Sequence, residues 1–366
     1  MRIVFADSID WDFNVDTPYR RPFGGSQSAL CYLAEELARA GHDVVLLNRT
    51  TAPGVVRGVT CVSLHGDWQQ AFSPPPDTLV YFNSAGWGDR LAPLLGRDTR
   101  VVLWTQHADD QDAMGALRDR REHDRYHAIA YVSDWQRRRY EAVFGIAPEK
   151  GAVRRNGPGP AFHRLFAPDR PILPEKAEPP VLAYTSTPFR GLHVLLYAFP
   201  RIRAAWPGVR LKVFSGMAVY QDAAADADFA RLYELCRGAA GVDYVGPLAQ
   251  PDLAREMRSV SVLAYPNTFP ETSCIAVIEA MASGARVVTS ALAALPETGA
   301  GFARLVRYDA DPRTFAAAFA EAVIAELGDA DPEALERRLR RQVDYVDRRC
   351  GWAVRAREWA EWLASI

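Results

Sequence analysis

A doubly wound α/β fold, built twice along one chain, is what this sequence predicts, and three observations predict it. Short β-branched runs alternate with longer helical patterns from end to end. The alternation is interrupted once, over a stretch dense in proline and glycine. At 366 residues the chain is long for one core and comfortable for two.

In the first half the strand-like runs are residues 3–6, 44–48, 79–83, 101–105 and 129–133. Between the first two lies a helical segment, residues 26–40, in which Leu30, Leu33, Ala34 and Leu37 recur at helical spacing. Gly41 is its stop, with Arg39 in the last turn. Residues 157–180 then hold Gly157, Pro158, Gly159, Pro160, Pro168, Pro171, Pro174, Pro179 and Pro180, which rules out a regular helix and suits a linker. Alternation restarts with runs at 181–186, 211–215, 242–245, 260–265 and 287–289. The resulting division is a Rossmann-like domain over 1–157, a linker over 158–180, a second Rossmann-like domain over 181–350 and a terminal helix over 351–366. Residues 332–366 read as continuously helical. Their stripe of Trp352, Trp359, Trp362 and Leu363 is expected to pack back on the N-terminal domain rather than to lie on a membrane.

Composition narrows the function. Hydrophobic residues at 49% and charged residues at 24% describe a globular chain, and a net charge of −2 argues against nucleic acid as a partner. The five cysteines are scattered without zinc-ligand spacing, so neither a disulfide framework nor a metal site is expected. The N-terminus runs straight into a strand without a leader pattern, and no apolar run is long enough to span a bilayer, so a cytoplasmic address is expected. Arg118, Arg120, Arg121, Arg125, Arg137, Arg138 and Arg139 read as a solvated helix face; peripheral contact with the inner face of a membrane is the alternative. The residues hold no signal for an oligomeric state.

The most informative segment runs from Phe269 to Gly284, after the strand at 260–265 and into a helix. Glu271 falls at or just before the helix N-terminus, and Ser273 and Cys274 open the first turn. Unpaired backbone N–H groups and the positive end of the helix dipole suit an anionic or hydroxyl-rich ligand there. With a start near Ser273, Glu279 lies almost two turns in, roughly 9–10 Å along the axis. One carboxylate at the mouth and one deeper suit the two ends of an elongated polar ligand.

This string (a glutamate, seven residues, a second glutamate, then Ala280-Met-Ala-Ser-Gly284 and a strand) resembles the signature of family-4 retaining glycosyltransferases, the glycosyl transferases group 1. The resemblance spans nearly the whole chain and is strongest over residues 181–297. It implies the GT-B architecture, two Rossmann-like domains facing a cleft, with a nucleotide-diphosphate sugar held on the C-terminal domain and the acceptor on the N-terminal one. By the same resemblance Glu271 binds hydroxyls of the donor sugar, Glu279 binds the ribose, and the amides of Thr272, Ser273 and Cys274 contact sugar or phosphate. Gly24 and Gly25, between the first strand and the first long helix, are similar to the family's glycine loop, and His107, after the strand at 100–105, to its active-site histidine. Asp109 and Asp110 are candidates for acceptor hydroxyls. Arg190, followed by Gly191, matches a diphosphate-binding lysine-glycine. The arginine usual five residues earlier is replaced by Thr185, which leaves Ser186 or Thr187 to supply hydrogen bonds. Gly216 is read as a close approach to the nucleotide, and Tyr244, Val245 and Leu248 as the loop that holds the base.

The activity so implied is transfer of a sugar to a hydroxyl of a saccharide, a lipid-linked saccharide or another glycoconjugate, with retention at the anomeric carbon. No cofactor and no metal are expected, because Arg190 and the helix N-terminus stand where a cation would, and His107, Glu271 and Arg190 are the catalytic candidates. The alternatives are a non-catalytic nucleotide-sugar-binding scaffold and a same-fold nucleotide-sugar epimerase.

Overall fold

The computed structural model describes residues 1–87, 91–222, 224–328 and 331–366. Two compact units form. The first comprises residues 1–18, 25–157 and 352–366, and the second residues 19–24 and 158–351.

Among the described residues the first unit is built on an eight-stranded sheet in the order β3-β4-β2-β1-β5-β6-β7-β8. Its strands are β1 (Arg2–Asp7), β2 (Asp43–Asn48), β3 (Gly54–Val56), β4 (Val59–Ser63), β5 (Thr78–Phe82), β6 (Arg100–Trp104), β7 (Ala128–Tyr131) and β8 (Gly151–Val153). All neighbours are parallel except β3 and β4. A parallel sheet is covered on both faces, so β2 and β5 run as nearly unbroken apolar segments, buried along almost their whole length. The helix Gly25–Arg39 ends as the sequence predicts. Gly41 adopts φ +88°, the Gly41 amide donates to Ala38 O at 3.0 Å and the His42 amide to Leu37 O at 3.2 Å, a paired closure that satisfies the last carbonyls.

The second unit holds a six-stranded parallel sheet in the order β11-β10-β9-β12-β13-β14. Its strands are β9 (Val181–Tyr184), β10 (Arg210–Val213), β11 (Val242–Tyr244), β12 (Val262–Tyr265), β13 (Arg286–Ser290) and β14 (Arg304–Val306). Strands β12 and β13 are buried throughout between helices. The segment before β9 contains no α-helix, only 3-10 turns at Pro160–Phe162 and Leu173–Glu175, as its prolines require.

Two expectations need correction. The C-terminal stretch is not one helix: Pro332–Arg349 and Trp352–Ser365 are separated at Cys350–Gly351, and the first belongs to the second unit and the other to the first. The terminal helix packs against Gly25–Arg39, with the Trp359 ring 4.9 Å from Trp104 and the Trp352 ring 5.9 Å from Tyr32. The tryptophan stripe is therefore core of the first unit. The second correction concerns the signature helix. It spans Ile275–Ala282, two residues later than its predicted start, because Asn267 folds the preceding loop on itself. The Asn267 carboxamide accepts from the Phe269 amide at 3.1 Å and also donates to Phe269 O, and the Glu271 amide donates to Phe269 O at 2.8 Å. Glu279 is consequently one turn into the helix.

Candidate functional site

In the second sheet the chain order reverses between β9 and β12, and ligands of open α/β sheets bind beyond the carboxyl ends of strands at such a switch point. The sequence-derived residues gather there. Arg190 lies in the turn after β9 and Glu271 in the loop after β12, and the two meet in an ion pair, Nη1 to Oε1 at 2.7 Å. The Tyr265 hydroxyl, at the end of β12, donates to the same Oε1 at 2.7 Å. The second Arg190 nitrogen, Nη2, donates to the Tyr220 hydroxyl at 3.1 Å, and the guanidinium lies 4.6 Å from the Phe269 ring centre. Ser186 Oγ is 3.3 Å from the Tyr265 hydroxyl. The arginine is thus held on three sides, and both bonds to Glu271 fall on one oxygen.

Gly191 lets this assembly close. Its φ is +113°, and a Cβ there would lie 2.1 Å from Pro266 O. Only glycine fits both the angle and the space. From Gly191 the helix Leu192–Ala205 runs back across the sheet. Thr272, Ser273 and Cys274 lead to the other helix N-terminus, Ile275–Ala282, whose first amides have no intrahelical partner.

Beside this cluster β10 and β11 bring Gly216 to the loop Tyr244–Leu248. The Val245 and Gly246 amides donate to Val213 O at 3.0 and 3.2 Å, and the Tyr244 hydroxyl to Ser215 O at 2.9 Å. A Cβ on Gly216 would stand 2.9 Å from Pro247 Cδ, so that glycine permits the contact of the two loops. Glu279 is apart from both. It is 5% exposed and its Oε1 accepts the Gly159 amide at 3.1 Å. Burial pushes its carboxyl up to about 8, against the opposing hydrogen bonds from Gly159 and Gln250. A Cβ on Gly159 would come 2.4 Å from Gln250 Oε1, so the linker glycine belongs to this contact.

The first unit holds the remaining residues. His107 follows β6; its amide donates to Thr105 Oγ1 at 3.1 Å, and its carbonyl accepts from Gln136 Nε2 and the Tyr140 hydroxyl, both at 2.8 Å. Its Nδ1 is buried without a hydrogen-bond partner among the described residues, and burial lowers the imidazole to about 4. Asp109 is taken by Arg139 in a two-pronged pair at 2.9 and 2.6 Å, whereas Asp110 is exposed. The Gly24–Gly25 pair lies on the division between the units, with Gly25 starting the helix.

Sequence reasoning missed Tyr265, Gly159 and Asp7. Tyr265 and Asp7 carried a signal, since each ends an apolar strand with a polar group. Asp7 is 2% exposed, accepts from the Ile9 amide at 3.0 Å and Gln27 Nε2 at 3.2 Å, and is pushed up to about 6 by burial. Gly159 carried none, being one of two glycines in a proline-rich run.

Residues 179–327 match the family of glycosyl transferases group 1. A 169-residue stretch, 46% of the chain, is 32% identical to the phosphatidyl-myo-inositol mannosyltransferase of Mycobacterium tuberculosis and covers 41% of that relative's length. The whole fold is shared with the glycosyltransferase of Rickettsia africae ESF-5, at a TM-score of 0.76 and 12% identity, covering 100% of this chain and 98% of the other. It is shared too with Anabaena Alr3699/HepE in complex with UDP-glucose, at a TM-score of 0.66 and 16% identity over 100% of both chains. The resemblance read from the signature string therefore holds, and the fold is that of the GT-B glycosyltransferases.

Proposed function

We propose that this group 1 glycosyl transferase moves a sugar from a nucleotide-diphosphate donor to an acceptor hydroxyl, retaining the anomeric configuration and using no metal ion. The observation that supports it best is the Arg190–Glu271 pair at the switch point of the second sheet, next to the N-terminus of Ile275–Ala282. Donor cleavage breaks the bond from the anomeric carbon to phosphate oxygen, and the diphosphate leaves with the electron pair. The acceptor oxygen forms the new bond, and its proton passes to the departing phosphate. Arg190 and the helix amides offset the charge that develops on phosphate. Glu271 Oε2, which takes neither of the two bonds on Oε1, is assigned to the sugar hydroxyls, and Glu279 to the ribose.

The nucleotide is assigned to the second unit and the acceptor to the first. Among the described residues no helix is long and apolar enough to cross a membrane. All five cysteines are buried and none forms a disulfide, which supports a cytoplasmic setting.

A thermal-shift panel of UDP, GDP and ADP and their sugars, run with chelator and then with magnesium, tests the reading. Selective stabilisation by one nucleotide and its sugars, unchanged by chelator, is the expected result. No shift with any of them rejects the donor site. A second reading, binding without turnover, draws on Thr185 standing where a second cation would be and on Arg190 being already paired; release of free nucleotide from the selected donor sugar rejects it.

A further inference from the structure

The first unit contains a cavity of about 410 Å³ that none of the assigned residues uses, within the size range of small-molecule sites. It lies beyond the carboxyl ends of β1, β2 and β5, reached by Ala6, Asp7 and Ser8 from the first, Leu47 and Arg49 from the second, and Tyr81 and Ser84 from the third. Strand β1 has β2 on one side and β5 on the other, and chain order reverses across it, so this is the switch point of the first sheet. Ala6 is half-buried in a central strand whose three preceding residues are fully covered. The open space over Ala6 is therefore built into the sheet face.

The cavity has two chemical ends. Leu47, Leu64, Leu91, Trp68 and Trp87 form its body. Ser8 and Arg49 form the polar end. The Asp7 carboxylate turns to the opposite face of the sheet, where it accepts from Gln27 Nε2 at 3.2 Å. Arg49 Nε is buried and makes no hydrogen bond among the described residues, while Nη1 is 3.4 Å from Asp10. A sugar ring placed against the leucines would leave hydroxyls without hydrogen-bond partners, which disfavours it. The walls suit an apolar body with one hydroxylated end.

We infer that this cavity holds the acceptor, and that the acceptor is an amphipathic alcohol or phenol whose apolar body rests on Trp68 and Trp87 and whose hydroxyl reaches Ser8 and Arg49. The inference rests on the glycosyl-transfer reading and changes its acceptor from a saccharide to an aglycone. The apolar body is aryl or alkyl, and the test separates the two.

Equilibrium dialysis of the full chain with 4-methylumbelliferone, 1-octanol and maltose measures binding without any turnover. The aryl or the alkyl compound is expected to bind, and whichever binds tighter identifies the source. Ala6→Leu, which fills the cavity, and Trp68→Ala, which strips a wall, are each expected to weaken that binding about tenfold. Binding of maltose alone, no binding of any probe, or binding unchanged in both variants overturns the inference. Thermal shifts with nucleotide in the same samples show that the variants are folded and keep the two readings separable. Lost probe binding with intact nucleotide shifts removes only the aglycone site, and the reverse removes only the donor reading.

Discussion

The two switch points of this chain are built from opposite materials. In the second unit Arg190, Glu271, Tyr265 and Tyr220 satisfy one another, so the charged groups are held in place before any ligand arrives. In the first unit the counterpart is an aromatic and aliphatic hollow, while Asp7 at the end of β1 and His107 in the loop after β6 are both driven toward neutrality by burial. The contrast teaches a division of labour by physics. A charged, fixed cluster suits a reaction in which phosphate gains charge, because preorganised dipoles need no rearrangement. An apolar hollow suits selection by shape and burial, where leaving water provides the free energy.

The largest expected effect tests the charged half. Arg190→Ala should lower kcat/KM with the selected donor about a thousandfold, since it removes the fixed cation and leaves Glu271 without its counter-charge. Steady-state kinetics reads this, and a loss below tenfold would show that the cluster is structural. Next comes Gly191→Ala, which should destabilise the protein by about 3 kcal/mol in urea unfolding through a positive φ and a clash with Pro266 O. An unchanged midpoint would mean that the turn relaxes freely.

Glu279→Gln sharpens the comparison in two directions at once. Because burial raises this carboxyl from 4.5 to about 8, the cost of burying its charge is absent below pH 4.5 and complete above pH 8. Stability of the wild-type chain should therefore fall as pH rises through that window, and the glutamine variant should gain on it by on the order of 2 kcal/mol at pH 7. The same variant should bind nucleotide about tenfold more weakly, having lost the carboxyl assigned to the ribose. A variant that is neither more stable nor weaker in binding would sever Glu279 from the donor site. The smallest effect concerns His107, which is lowered to about 4 and should show no titration between pH 5 and 8 by NMR. A midpoint near the usual 6.5 would place a charge in the half described here as neutral.

The candidate site of the second unit stood out in the residues alone because the phosphate- and hydroxyl-binding role proposed for it needs particular residue types at particular spacings. Glu271, Glu279, Arg190 and Gly191 are of that kind. Where the reading slipped, local backbone chemistry decided: Asn267 folded the loop on itself and delayed the helix to Ile275. The first unit was legible as a fold and opaque as a site. Nothing in the sequence sets Leu47, Leu64 and Trp68 apart from other apolar residues, and only the folded chain shows that they border a hollow. The short edge strands β3 and β8 were missed for a related reason, since three residues hold too little pattern to stand out from a loop.

The last helix makes the order of synthesis matter. Trp104, in the middle of the first sheet, gains its Trp359 neighbour only from residues that follow the whole second unit. A ribosome thus delivers a first unit that must wait, with an aromatic face uncovered, until some two hundred further residues have emerged. During that interval the nascent chain presents a surface that chaperones recognise, and truncation anywhere in the second unit would leave the same surface permanently bare.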